Sequence, residues 1–247
     1  MISTSVAPRR PSYELPDLNG PSAGRPLYWS WLGRRSYGSL FGVQEDIRRE
    51  LWAGEGPERL LLLEHEPVFT IGRNADPADV LADRSWLENE GIDVCESNRG
   101  GQVTYHGPGQ LVGYPIVSLN PDRRDIGLYV RNLQEVLIRV LAEFGIEARR
   151  RDDGKEFIGV WVGQQKIASI GVHLSRWIAI HGFALNVTTR LEHFDGIVAC
   201  GLDGVEMTSM EQQLAEAPPM EKLAQRVAVH FGEVFERQMM LAENVLG

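Results

Sequence analysis

Two cysteines in 247 residues, Cys95 and Cys200, are too few for a disulfide framework and lack the paired spacing of a zinc site. That usage suits a reducing, cytoplasmic setting with one thiol available for chemistry. Long hydrophobic runs are missing as well: none approaches the ~18–20 residues of a membrane span. An excess of positive charge is also absent. The formal net charge of −9 argues against nonspecific nucleic-acid binding, although Arg34-Arg35, Arg123-Arg124 and Arg149-Arg150-Arg151 are local basic clusters. No internal repeat is visible.

With 43% hydrophobic and 24% charged residues, the chain has the composition of a globular protein able to bury one full core. The first 26 residues are rich in Pro, Ser and Gly and contain no apolar stretch resembling a signal-peptide core. They read as a mobile extension, residues 1–26, ahead of a single domain over residues 27–247.

Periodicity gives the coarse order of elements. Leu27 to Leu32 reads as a strand, followed by a helix whose Tyr37, Leu40, Phe41, Ile47 and Leu51 share a face up to Gly54. "RLLLLEHEPVFTIGR" predicts two strands separated by Glu66-Pro67, and Asp79 to Glu90 a short helix closed by Gly91. The clearest helix is "DIGLYVRNLQEVLIRVLAEFG", with Asp125 to cap it and Gly145 to end it. Three β-type runs follow, "FIGVWVG", "KIASIGVHL" and "RWIAIHGFALNV", at hairpin spacing, and a final helix is expected from about Pro219 to Leu241. Helices and antiparallel strands without a regular β-α-β rhythm predict an α+β fold: a mixed, largely antiparallel sheet flanked by helices.

The most unusual stretch is "RGGQVTYHGPGQ", Arg99 to Gln110, with four glycines in twelve residues. It carries neither a Gly-Lys-Ser/Thr ending nor G-x-G-x-x-G spacing, so the motif gives no support to a nucleotide loop. Gly-Gly ahead of an alternating run reads instead as a tight turn entering a strand whose backbone lies against a ligand.

"RGGQVTYHGPGQLVGYPI", together with "GVWVGQQKIASIGVHL", "IHGFALNV" and "VACGL", resembles the lipoyl(octanoyl) transferase family of the lipoate-protein ligase B type. The resemblance covers Leu27 to Phe235. It implies a sheet-based core like that of the biotin and lipoate ligases. It also implies transfer of an octanoyl group from octanoyl-acyl carrier protein to a lysine of the lipoyl domains of 2-oxoacid dehydrogenases or of the glycine cleavage H protein, with no cofactor and no metal. Cys200 and Lys166 match the family's catalytic pair. The implied substrate site comprises Arg99, Gly100, Gly101, Gln102, Val103, Thr104, Tyr105 and His106, with Ser169, Ile170, Gly171, Gly182, Phe183 and Ala184.

Those residue types suit the chemistry. Passing an acyl group from thioester to amine is downhill and needs only a temporary holder, which a cysteine thiolate supplies. A free thiol is mostly protonated at neutral pH, so a neighbouring lysine would act either as a cation favouring thiolate or, if desolvated, as a general base. Without the surrounding motifs, Lys166 would read as a strand-end lysine and Cys200 as a buried structural thiol. The glycines would let a slim acyl chain lie against backbone, with N–H groups free to stabilise an oxyanion.

Arg99 reads as a loop anchor in preference to a phosphate ligand. His106 and His181 are either proton shuttles for the incoming amine or hydrogen-bonded wall residues; His65 is expected to border the pocket and Asn186 to support it. Cys95 is assigned to packing. The basic clusters are candidates for docking an acidic carrier. Competing readings are an ATP-dependent lipoate or biotin ligase, a cysteine amidase or hydrolase, and an acyl-binding module without chemistry.

Overall fold

A computed structural model of the protein describes residues 24–120, 124–151, 153–154, 157–198 and 204–242. Ten strands carry the architecture: β1 (Arg25–Arg35), β2 (Glu58–His65), β3 (Val68–Ile71), β4 (Asp93–Glu96), β5 (Val103–His106), β6 (Gln110–Ser118), β7 (Gly159–Val162), β8 (Gln165–Ser175), β9 (Ile178–Asn186) and β10 (Arg237–Leu241). Seven form one sheet in the order β10-β1-β2-β6-β9-β8-β7, and three form a small sheet, β4-β3-β5. In the large sheet β1 pairs in parallel with both β10 and β2, and the remaining pairings are antiparallel. This is the mixed, largely antiparallel α+β arrangement expected from the sequence.

Helices cover both faces. α1 (Tyr37–Ala53) lays Leu40, Ile47 and Leu51 over one face, against Leu61, Leu63, Tyr114 and Ile180. α2 (Arg84–Glu90) lies beside the small sheet, where Trp86 packs on Phe69. On the opposite face of the large sheet, α3 (Ile126–Glu143) and α5 (Met220–Phe235) pack together over Leu60, Leu62, Leu111 and Leu185. Each fully buried leucine there contributes roughly 1.5–3 kcal/mol. A short α4 (Met210–Gln213), capped by Ser209, precedes α5.

Local signals explain the best-defined ends. Asp125 accepts a hydrogen bond from the Leu128 N–H at 2.9 Å, and Gly145 follows α3 at φ +78°. The β8–β9 hairpin turns through Arg176 and Trp177 at φ +48° and +65°, the left-handed pair that a two-residue hairpin requires.

Two expectations need correction. The helix expected from Asp79 begins at Arg84: Pro77–Asp79 is a separate 3-10 turn, and Asp83 is the true cap, accepting from the Trp86 N–H at 2.8 Å. The last helix ends at Phe235 instead of continuing to Leu241. Glu236 takes a left-handed conformation, φ +53°, and the chain returns as β10 beside β1. Arg237 drives that turn, because its guanidinium reaches the buried carboxylate of Glu58 on β2. Of the expected N-terminal extension, residues 1–23 lie outside the described residues, and β1 already begins at Arg25.

Candidate active site

β8 and β9 build one wall of a cavity of about 490 Å³, which the Arg99–His106 stretch closes from above. Lys166, the second residue of β8, is only 2% exposed. Its backbone is held on both sides, donating to Glu206 O at 2.9 Å and accepting from the Thr208 N–H at 3.0 Å. Its side chain crosses Gly159, where an added Cβ would lie 2.4 Å from Lys166 Cε, and its Nζ sits 5.5 Å from the centre of the Trp161 ring. The Arg151 guanidinium lies 4.8 Å from the same ring and also pairs with Asp153. One of the three clustered arginines is thus turned inward, onto the tryptophan that Lys166 meets. Cys200 lies outside the described residues.

Ser169, Ile170, Gly171, Gly182, Phe183 and Ala184 line the cavity, as do Arg99, Gly100, Gly101, Gln102, Val103, Thr104 and His106. Tyr105 does not, which corrects its place in the expected substrate site. Strand alternation on β5 turns its ring into the small core against Phe69 and Phe194, where its hydroxyl bonds His193 at 2.7 Å. The sequence reading missed Tyr37 from α1, Tyr114 from β6, and Ile126 and Val130 from α3, all of which line the cavity. Spacing marks Tyr37 only as a member of an apolar helix face, and nothing in the sequence singles out the other three.

The glycines serve mainly the protein's own backbone. A Cβ on Gly72 would lie 2.3 Å from Gly101 O, and one on Gly171 would lie 3.0 Å from Gly100 O. They let the Arg99–Gly101 loop lie directly on β3 and β8, where the Gly100 N–H donates to Val172 O at 2.9 Å. Gly101, at φ +91°, is the one on this loop whose added Cβ would meet nothing closer than Arg99 Nη1 at 3.6 Å. Arg99 anchors the loop: its guanidinium donates to Thr70 Oγ1 at 3.1 Å and Thr70 O at 2.5 Å.

Three histidines gather around Tyr114, all uncharged near neutral pH; His106 and His181 line the cavity, whereas His65, expected to border it, does not. His65 is fully buried; its Nδ1–H donates to Arg35 O at 2.9 Å, so its Nε2 accepts the Tyr114 hydroxyl proton at 2.7 Å. Burial pushes His65 down to about 4. His106 donates from Nδ1 to Gln110 Oε1 at 2.7 Å and is lowered well below its ordinary value by burial, then by His65. His181 is held in a left-handed conformation, φ +59°, which costs a non-glycine residue roughly 1–3 kcal/mol. Gln44 Oε1 takes its backbone N–H at 2.8 Å, Asn98 Oδ1 takes its Nε2–H at 2.6 Å, and Phe41 stacks on its ring. Burial, then the Arg99 cation, lowers His181 to about 3. Each of the two rings that line the cavity spends one N–H on a protein acceptor, His106 on Gln110 and His181 on Asn98, as a hydrogen-bonded wall residue does. Asn186 supports the site, bridging Gln110 Nε2 and Thr208 O at 3.0 Å each.

A cavity with a buried lysine in its wall and a lining more apolar than polar suits an apolar substrate chain and a reacting end beside an amine. The model of the lipoyl protein ligase A/B catalytic domain matches residues 36–232. The octanoyltransferase of Solibacter usitatus is 47% identical over 209 residues, covering 85% of this chain and 93% of its own. That of Caldicellulosiruptor bescii is 43% identical over 218 residues, covering 88% and 93%. Among solved structures, lipoate-protein ligase A bound with ATP superposes with a TM-score of 0.72 at 17% identity, covering 90% of this chain and 89% of its own, a likeness of fold. The chain belongs to the lipoyl protein ligase A/B catalytic family and groups with its octanoyltransferases, which are acyltransferases.

Proposed function

We propose that the protein transfers an octanoyl group from octanoyl-acyl carrier protein to a lysine of lipoyl domains in the cytoplasm, through a thioester on Cys200. The observation that carries this reading is Lys166, a lysine 2% exposed at the head of a mostly apolar cavity. A buried ammonium favours a thiolate beside it, and a thiolate is the nucleophile that acyl transfer from a thioester needs. The segment that holds the Lys166 backbone, Glu206 to Thr208, begins six residues after Cys200 in the sequence.

In the first half-reaction the Cys200 thiolate attacks the carrier thioester carbon. The C–S bond to the carrier breaks as the C–S bond to Cys200 forms, and the carrier thiolate leaves and takes a proton. In the second, the neutral amine of the lipoyl-domain lysine attacks the acyl-enzyme, the amide forms, and the Cys200 thiolate is restored with release of one proton. Lys166 acts either as the cation that stabilises thiolate or as the group that exchanges the proton. No nucleotide or metal enters this balance. The lipoyl domains of 2-oxoacid dehydrogenases and the glycine cleavage H protein are the acceptors of this reading.

The test is intact-protein mass after brief mixing with octanoyl-acyl carrier protein, wild type beside Cys200→Ala, followed by an apo lipoyl domain. A hydroxylamine-sensitive octanoyl adduct on wild type alone, discharged onto the added domain, is the expected result. Transfer that requires ATP and free octanoate, and persists in Cys200→Ala, would instead assign an adenylating ligase.

A further inference from the structure

Two polar side-chain atoms of cavity-lining residues have no hydrogen-bond partner among the described residues. His181 is 1% exposed and spends its Nε2–H on Asn98, while its Nδ1 has no hydrogen-bond partner among the described residues. Thr104, on β5, lines the same cavity, and its buried Oγ1 likewise has no partner among them. In a cavity whose lining is more apolar than polar, a bare lone pair and a free hydroxyl are groups an alkyl chain would meet at a cost.

Sheet register sets the distance of His181 from the reacting end. The Lys166 side chain leans along β8 until its Cε lies against Gly159, which stands opposite Ser169; His181 stands opposite Val172. Ser169 to Val172 is three strand residues, about 10 Å. An extended eight-carbon acyl chain is about 9 Å from carbonyl to methyl carbon. A chain whose carbonyl sits at the level of the lysine head therefore ends at the level of His181.

We propose that His181 and Thr104 form a polar floor that sets the acyl-chain length accepted at this site. The proposal rests on the transferase reading above. An octanoyl chain stops at the floor and leaves Nδ1 and Oγ1 to water. A longer chain presses methylenes onto both atoms and excludes that water, and a buried polar atom stripped of its partner is penalised. Asn98 fixes the tautomer: with the proton on Nε2, Nδ1 presents a lone pair, and the depressed basicity of the ring keeps it unprotonated at physiological pH.

The test compares kcat/KM for decanoyl- and octanoyl-acyl carrier protein in wild type, His181→Phe, Thr104→Val and His181→Asn. Phenylalanine keeps a ring against Phe41 and is slightly larger, and valine has the shape of threonine. A polar floor predicts that the decanoyl-to-octanoyl ratio rises about tenfold in His181→Phe and severalfold in Thr104→Val. Asparagine tolerates a left-handed backbone and keeps an acceptor, so His181→Asn should hold the wild-type ratio. A purely steric wall predicts the opposite sign for His181→Phe and no change for Thr104→Val, and that result overturns the proposal. Wild type that transfers neither acyl group from a thioester refutes the transferase reading instead. Calorimetry with octanoate and decanoate then reads the floor separately, and equal affinities would remove it.

Discussion

Glu58 and Arg237, 179 residues apart in sequence, meet inside the large sheet at 2.6 Å from Nε to Oε2, with Nη2 to Oε1 at 3.3 Å. Glu58 Oε1 also accepts the Ser118 N–H at 2.9 Å, so one buried carboxylate ties β2, β6 and β10 together. Removing it takes the carboxylate from two buried guanidiniums, those of Arg237 and of Arg25, whose Nη1 lies 3.9 Å from Oε1. Glu58→Ala should lower unfolding stability by about 3–5 kcal/mol, whereas the pair Glu58→Met with Arg237→Met should recover only part of that loss, because Arg25 still faces the vacated carboxylate position. Urea denaturation of the three proteins decides it; a single-variant loss below about 1 kcal/mol would contradict the assigned role.

The histidine cluster makes stability fall on mild acidification. His65 and His181 are lowered from 6.5 to about 4 and about 3, so the folded state stays unprotonated while the unfolded chain takes up protons below about 6.5. The contribution is fully present above pH 6.5 and is lost as pH falls towards those values. His65 alone amounts to roughly 3 kcal/mol by pH 4. Melting temperature should therefore drop between pH 7 and 5, above the range where ordinary carboxylates titrate, and His65→Asn should reduce the slope. A flat profile would show that the cluster does not behave this way.

The loop on Gly72 offers a backbone test. Gly72→Ala places a Cβ 2.3 Å from Gly101 O and 2.8 Å from Arg99 Nη1, so the loop must move. A cost of about 1–3 kcal/mol is expected, with a raised KM for the acyl donor because Gly101 lines the cavity. Gly42→Ala is the control: it sits in α1 with open space around it and should stabilise by about 0.5–1 kcal/mol. Equal effects of the two on KM would argue against the loop's part in the site.

Lys166→Met should leave the fold intact, because a buried ammonium is exchanged for an apolar chain of similar length, and should lower turnover by roughly 10²–10⁴-fold. The arginine cluster calls for more selective changes. Arg151 lies on Phe157 and Trp161, and Trp161 meets Lys166, so replacing it would disturb the site itself. Replacing only the exposed Arg149 and Arg150 by Ala should weaken use of an acidic carrier and flatten its salt dependence. Unchanged carrier kinetics would remove the cluster from the docking face.

What could be read from sequence was what is encoded locally. α3 carries its cap, its apolar face and its terminal glycine within one stretch, and the β7–β8–β9 run carries its turns between its strands. The cap of α2 is equally local: Asp83 precedes the helix and accepts from the Trp86 N–H, although Asp79, four residues earlier, offers the same kind of signal. β10 was not legible, because "RQMML" continues a helical pattern and its reason for turning is Glu58, far away in sequence. In the site, glycine-rich motifs marked most of the cavity wall. Tyr37 and Tyr114 escaped notice because an aromatic ring on an apolar face gives the same signal whether it meets the core or a cavity.

β10 also dictates when the protein can finish folding. It pairs in parallel with β1, the first of the described strands, so that edge of β1 must wait open until more than 200 further residues have been made. Until then the nascent chain exposes an aromatic-rich strand, "LYWSW", that another chain could pair with. Such a long closure is slow compared with local helix formation, and the interval is the one in which aggregation competes with folding and chaperone capture is most useful.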